Sequence, residues 1–395
     1  MDTQNKMAER VKSLKASAIR EIFKIVGQPG MISMAGGIPS PSVFPTEAFA
    51  KISEDILKNN GTSALVYGVT EGYKPLIEKV EAINKSKNIG RDFDTTIITT
   101  GAQQAIDLAC KAYVNEGEGI IVEDPSFIGS LNSFRSYNAK LYGAPVLKDG
   151  IDTDKVEELL KTEKIKLIYV IPTFQNPTGI TMSLDKRKKL LELAEKYDCY
   201  ILEDNPYGDL RFTGEDIPTI KSMDENGRVI YVGSFSKTLA PGLRVGFAVA
   251  HEDVMDRIVV VKQVNDVHTT LLTQMMVDRF LAEYDFDEQI KKGCELYKSQ
   301  CQCMLNAMDK YFPEGVTYTR PEGGIFLWVT LPEGVNTNDL LLKCIEKKVA
   351  FVPGNSFMID IEKPTNTFRL NYSTMSNENI EIGIQRIAEI LKECI

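Results

Sequence analysis

The stretch Gly233–Phe247, GSFSKTLAPGLRVGF, sets a single lysine, Lys237, among Ser234, Ser236 and Thr238, with Arg244 seven residues further on. A lysine held at a strand end can form a Schiff base with a carbonyl compound, and nearby hydroxyls with a guanidinium suit a phosphate. Lysine plus phosphate site points to pyridoxal phosphate. On its own, Ser-x-Ser-Lys fits a solvated loop equally well, so its neighbours in the sequence decide. KLIYVIPTFQNPTG places Asn176 just past one apolar run, and CYILEDNPYGDL places Asp204 and Tyr207 just past the next. A pyridine nitrogen needs a carboxylate to stay protonated, and a ring phenolic oxygen needs donors such as an amide and a phenol. ITTGAQQAIDLAC opens a helix at Ala102 and Gln103, whose free N–H groups can take an anion. A buried Asp or an Asn-Pro turn is more often a packing feature; in this order, and at strand ends, these residues describe one site.

The elements that must position them are short β-rich runs between about residues 95 and 250: TIITT, GIIVED, KLIYVIP, CYILED, VIYVGSFS and VGFAVA. Buried, non-alternating strands separated by helical stretches predict an α/β lobe with a largely parallel sheet, and open sheets of that kind bind ligands at the carboxyl ends of their strands. After residue 283, Phe286, Ile290, Cys294, Tyr297, Cys301, Met304 or Leu305, and Met308 recur every three or four residues, predicting an amphipathic helix stopped by Pro313. Cys301 and Cys303 then point to different faces and read as packing. A hairpin (GVTYTRPEGGIFLWVTLP), two strands (VAFVPG and TFRLNYS) and a terminal helix complete a smaller α+β lobe.

At 395 residues the chain exceeds what one hydrophobic core usually fills, which predicts two unequal lobes. The 46 basic against 55 acidic residues leave a net charge of −9, the wrong sign for neutralising a phosphate backbone, so no nucleic-acid partner is expected. The first segment has no apolar signal core and no run approaches the ~20 apolar residues of a membrane span, so the expectation is a cytoplasmic protein with no membrane partner. Seven cysteines without a C-x-x-C pair suggest neither a disulfide framework nor a zinc site, and two histidines offer little for metal or triad chemistry; no metal is expected. Gly117-Glu-Gly119 precedes its strand and Ser236-Lys237-Thr238 lacks the Walker glycines, so nucleotide-loop readings fail.

The chain resembles the class I/II aminotransferases of pyridoxal-phosphate fold type I, and within them the 2-aminoadipate and kynurenine aminotransferase-like group. The resemblance runs from SAIREIF (Ser17–Phe23) through ISMAGGIPSPSVFP, YGVTEGYKPL, TTGAQQAIDL, EDPSFIG, IPTFQNPTG, LEDNPYGDL, GSFSKTLAPGLRVGF and PEGGIFLWV to FRLNYS. It implies a large α/β domain with a mostly parallel sheet plus a smaller α+β domain. Residues 1–40 would be an N-terminal segment belonging to the small domain and lidding the substrate, 41–282 the large cofactor domain and 283–395 the small C-terminal domain.

By the same resemblance, Lys237 carries pyridoxal 5'-phosphate covalently, Asp204 pairs with the pyridine nitrogen, and Asn176 and Tyr207 bind the ring oxygen. Phe127 stacks on the ring, while Ala102, Gln103, Ser234, Ser236 and Arg244 bind the phosphate. Tyr67 reaches the phosphate of a neighbouring subunit, making a homodimer the minimal active unit. Arg369 clamps the substrate α-carboxylate, with Asn176 beside it; Gly36 and Gly37 line the pocket, where the missing Cβ permits close approach. Arg20 helps accommodate the substrate side chain. Ala102 stands where many relatives carry a hydroxyl, which removes a phosphate hydrogen bond worth about 1 kcal/mol, and Phe127 where many carry tyrosine, which keeps the stacking face.

The activity implied is ping-pong transamination from a 2-aminoadipate, aromatic or branched-chain type amino acid to a 2-oxo acid, most naturally 2-oxoglutarate. A lyase or decarboxylase of the same fold shares the lysine and aspartate and remains open. A non-catalytic effector domain fused to a DNA-binding head is disfavoured, because the pattern begins by about residue 17 and the charge is acidic.

Overall fold

The computed structural model describes residues 7–12, 14 and 30–395; Arg20 lies outside them. After β1 (Ile32–Ser33) come β2 (Asp94–Thr99), β3 (Gly119–Asp124), β4 (Lys140–Leu147), β5 (Gly150–Ile151), β6 (Ile165–Val170), β7 (Tyr200–Asp204), β8 (Val229–Ser234) and β9 (Gly246–His251). The last eight form one sheet in the order β2-β9-β8-β7-β6-β3-β4-β5. From β4 through β3, β6 and β7 to β8 the strands are parallel, whereas β9 runs against both neighbours and β5 against β4.

Successive residues of these strands feed opposite cores, which is why the runs read as continuously apolar. Ile97, Ile120, Val122, Leu167, Tyr169 and Leu202 pack with the helices Ala102–Tyr113, Ile128–Ser136 and Glu252–Asp266. Their chain neighbours Ile121, Ile168, Val170 and Ile201 pack with the helices Thr153–Thr162 and Leu184–Lys196 on the other face. Each fully buried Ile or Leu contributes roughly 1.5–3 kcal/mol relative to exposure. No apolar run announces β4, because Gly143 and Pro145 interrupt it and its residues are buried unevenly.

The second sheet is antiparallel, with β10 (Thr317–Tyr318), β11 (Phe326–Thr330), β13 (Val352–Pro353) and β14 (Thr367–Asn371) in the order β10-β11-β14-β13. The helix Phe286–Tyr311 starts where the Asp285 side chain accepts from Glu288 N, and it ends one residue before Phe312-Pro313. It packs against the terminal helix Asn377–Cys394. VAFVPG, expected as one strand, is two: β12 (Val349–Ala350) pairs parallel with β1 while β13 pairs with β14, and the buried Phe351 divides them. The pairing with β1 attaches the stretch Met31–Ile38 to this smaller lobe, where Asn371 N donates to Met34 O (2.8 Å) and Ser373 Oγ to Ile38 O (2.7 Å). Among the described residues no helix is long and apolar enough to cross a membrane.

Candidate active site

Pairing register brings the predicted phosphate ligands to one edge of the large sheet. Gly246, the first residue of β9, lies opposite both Thr99 of β2 and Ser234 of β8. A Cβ at Gly246 would meet Gly101 C at 2.7 Å and Ala102 N at 2.8 Å, so only glycine lets the helix start at Ala102 come this close. Gly101, at φ +72° and ψ 172°, turns the chain from β2 into that helix through a conformation essentially reserved for glycine. Arg244 lies against this turn, donating from Nη2 to Thr100 O (3.1 Å) and from Nη1 to Pro241 O (3.3 Å). Ser234 Oγ accepts from Ser236 N (3.1 Å). Ala102, Ser234, Ser236 and Arg244 thus gather around one helix N-terminus, an anion cradle by construction. The Gln103 side chain is turned away, donating to Gly129 O (3.1 Å) and Ser133 Oγ (2.9 Å), which leaves its backbone N–H for the cradle.

The neighbouring strand β7 ends in Glu203-Asp204, and strand alternation separates the two carboxylates. Glu203 faces the side opposite Asp204, where it accepts from Ile220 N (2.9 Å) and Lys221 N (2.7 Å). Asp204 faces the site: Oδ2 accepts from the Tyr169 hydroxyl (2.8 Å), while Oδ1 is buried with no hydrogen-bond partner. Burial pushes its carboxyl up to about 7, against the lowering effect of the Tyr169 bond and the Lys237 charge. An orphaned buried acceptor is costly unless a ligand supplies the donor, and a protonated pyridine nitrogen is such a donor. The residues present therefore fit pyridoxal phosphate: the cradle for its phosphate, Asp204 for its ring nitrogen.

Lys237 Nζ donates to Gly37 O (2.7 Å) and lies 5.7 Å from the Tyr207 ring centroid. Burial, then the guanidiniums of Arg369 and Arg244, bring its ammonium down to about 8, opposed by Asp204. Asn176 Nδ2 donates to the Tyr207 hydroxyl (3.4 Å), and its Oδ1 accepts from Arg369 Nη1 (2.8 Å). Arg369 stands on β14, opposite Trp328, and its Nη2 donates to Ala35 O (2.8 Å). The Phe326 and Phe357 rings lie 4.1 and 4.8 Å from its guanidinium carbon. Burial lowers this guanidinium to about 10, and its Nε has no partner. Gly36 is buried, and Gly37 lies so close that a Cβ would stand 3.5 Å from Phe326 Cζ. The small-lobe strand and the strap Met34–Ile38 thereby reach the large-lobe lysine through Arg369 and Gly37.

Phe127 caps the helix Ile128–Ser136 at the end of the β3 loop, its ring over Gly129, where a Cβ would meet it at 2.6 Å. Tyr67 lies apart from this group: it is 85% exposed and touches His268 edge-on, ring centroids 5.8 Å apart. Three participants escape the sequence reading. The carbonyls of Ala35 and Gly37 carry no side-chain signature, and Tyr169 looks like any core aromatic inside β6; only the Asp204 two residues past its cross-strand neighbour Leu202 distinguishes it.

A profile of the family described as aminotransferase class I and II matches residues 37–387. The aromatic-amino-acid aminotransferase 1 of Thermococcus litoralis is 40% identical over 100% of this chain and 95% of its own length. The solved multiple substrate aminotransferase from Thermococcus profundus superposes with a TM-score of 0.95 at 39% identity, covering 100% of this chain and 99% of that one. The alpha-aminoadipate aminotransferase from Thermus thermophilus, solved with N-(5'-phosphopyridoxyl)-L-leucine, gives 0.92 at 37% identity, covering 100% and 99%.

Proposed function

The chain belongs to the class I and II aminotransferases and is a pyridoxal-phosphate-dependent aminotransferase of fold type I, and from that premise we propose its reaction and the residues that perform it. The amino donor is an α-amino acid of the 2-aminoadipate, aromatic or branched-chain type, the acceptor is 2-oxoglutarate, and the two react in separate half-reactions at one site. The observation that carries the residue roles is the convergence of the Lys237 amine, the unpartnered Asp204 Oδ1 and the Asn176–Arg369 pair in one cleft between the lobes.

When bound, pyridoxal phosphate supplies the electron sink that lets a substrate Cα–H bond ionise. Ala102, Gln103, Ser234, Ser236 and Arg244 hold its phosphate, and Phe127 packs on its ring. Asp204 keeps a proton on the ring nitrogen, and Tyr207 with Asn176 donates to the ring oxygen. Lys237 would carry the cofactor, and its amine, when free, would take the substrate Cα proton as a general base. Its lowered affinity for a proton suits that role near neutral pH. Arg369 presents a planar fork to the substrate α-carboxylate, replacing its present contacts to Asn176 and Ala35, with Gly36 and Gly37 leaving room beside it. With cations at 237, 244 and 369 facing one buried carboxylate at 204, the cleft favours ligands bearing phosphate and carboxylate groups. Tyr67 completes the phosphate site of a second subunit in a homodimer.

A panel of amino donors against 2-oxoglutarate, followed by the 2-oxo acid formed, tests the reaction; release of carbon dioxide or ammonia in place of stoichiometric glutamate would overturn it. The N-terminal segment carries the side-chain specificity through Arg20, which pairs with a distal carboxylate and swings aside for apolar donors. In the donor half-reaction, Arg20→Ala lowers kcat/KM for glutamate and 2-aminoadipate while largely sparing leucine, whereas Arg369→Ala lowers it for all three. Equal losses for glutamate and leucine in the Arg20 variant would mean that this residue does not read the side chain.

A further inference from the structure

The mechanism above leaves unused a buried chain of hydroxyls behind Asp204. Tyr169 in β6 pairs with Leu202 in β7, so it shares a sheet face with Asp204, two residues along. Its hydroxyl donates to Asp204 Oδ2 (2.8 Å), and Ser130 Oγ in turn donates to the Tyr169 oxygen (2.8 Å). Ser130 and Tyr169 are fully buried and Asp204 is 2% exposed. The helix Ile128–Ser136 fixes both ends of the tyrosine: Ser130 holds the hydroxyl, and Phe134 packs edge-on against the ring at 5.4 Å and 73°. The same helix follows directly on Phe127.

We propose that Tyr169, held by Ser130, is a positioning residue that fixes Asp204 as a carboxylate with Oδ1 turned to the cofactor ring nitrogen, and so keeps the proton of that pair on the ring. The inference rests on the reading of Asp204 as the pyridine partner. Its logic is donor arithmetic. A phenol has one proton to give; with Ser130 donating into its oxygen, that proton goes to Asp204 Oδ2. A phenol donating into Oδ2 stabilises the ionised form of Asp204, and so biases the proton shared across Oδ1 toward the ring nitrogen. Of the two adjacent carboxylates, only Asp204 has this phenol behind it; Glu203 is held by backbone amides.

The test compares binding of pyridoxal phosphate with that of its deaza analogue, in which carbon replaces the ring nitrogen, to the full chain stripped of cofactor. The wild type prefers the pyridine ligand. Tyr169→Phe keeps the ring against Phe134 and removes one hydrogen bond to a charged group, so it cuts that preference roughly tenfold or more while leaving the deaza analogue within about twofold. Ser130→Ala moves the preference in the same direction by a smaller factor, and serves alone where the tyrosine variant does not fold. Nitrogen NMR of ring-labelled cofactor bound to the Tyr169 variant shifts toward neutral pyridine. Equal weakening of both ligands, or an unchanged preference and nitrogen signal, overturns the proposal and leaves Asp204 as the pyridine partner. A wild type without preference for the pyridine ligand overturns the reading of Asp204 itself.

Discussion

Lys237 holds its proton less firmly than a solvated lysine because burial and the cations of Arg369 and Arg244 both disfavour the ammonium, with only Asp204 opposing them. The sign follows directly: the neutral, nucleophilic amine gains as pH passes about 8, two units before an ordinary lysine at about 10.4. The cofactor-free protein should therefore form its borohydride-reducible adduct with pyridoxal phosphate at a rate that climbs up to about pH 8 and then levels off; a rate still climbing toward pH 10 would contradict the electrostatics. Lys237→Ala should abolish the adduct and slow transamination by about two to four orders of magnitude, the range of a lost general base. Persistence of the adduct would assign it to another lysine. At this scale the sequence is most legible where a reactive side chain closes a buried strand: Asn176, Asp204, Tyr207 and Lys237 all follow apolar runs and meet in one cleft. Tyr169 escapes because its function lies in one hydroxyl whose partner sits on a different strand. Ala35 and Gly37 escape because carbonyls have no residue type.

The proposed phosphate cradle depends on how β2 passes into the helix Ala102–Tyr113. Gly101 makes that turn at φ +72° and ψ 172°, and a Cβ there would meet the Arg244 guanidinium at Nη2. Gly101→Ala should therefore act twice, through backbone strain of about 1–3 kcal/mol and through displacement of the arginine. Thermal unfolding of the cofactor-free variant reports the first; a weaker affinity for pyridoxal phosphate, and for inorganic phosphate as competitor, reports the second. Unchanged affinity for both would show that Arg244 does not serve the phosphate. The elements themselves divide by burial in how far the sequence reveals them. Strands covered on both faces, β3, β6 and β7 among them, read as apolar runs. Partly exposed β4 carries Gly143 and Pro145 and leaves no such trace, and VAFVPG conceals that its two halves serve different sheets.

Tyr67 stands just past the helix Thr46–Leu65 in a stretch left largely open among the described residues: Leu65, Val66, Tyr67 and Val69 are 73%, 54%, 85% and 63% exposed. Its edge contact with His268 brings this stretch to the chain next to Val267, itself 49% exposed. An apolar surface of this kind marks an interaction site, and in the proposed homodimer a second copy of the chain related by a two-fold axis would cover it and bring Tyr67 to that copy's phosphate cradle. A single sequence cannot display this, because the partner surface is another molecule's. Sedimentation should find a dimer. Tyr67→Phe should keep that dimer while weakening pyridoxal phosphate binding by about ten- to a hundredfold, the worth of a hydrogen bond to a charged group. Sharing between subunits is then tested by mixing two inactive or impaired chains, Lys237→Ala and Tyr67→Phe, under subunit exchange. If Tyr67 serves the other subunit, each hybrid dimer contains one site with both Lys237 and a Tyr67 hydroxyl, and one site with neither. Random exchange of equal amounts then restores high-affinity cofactor binding at roughly a quarter of all sites. If Tyr67 serves its own chain, every site that keeps Lys237 still lacks the hydroxyl, and mixing restores nothing.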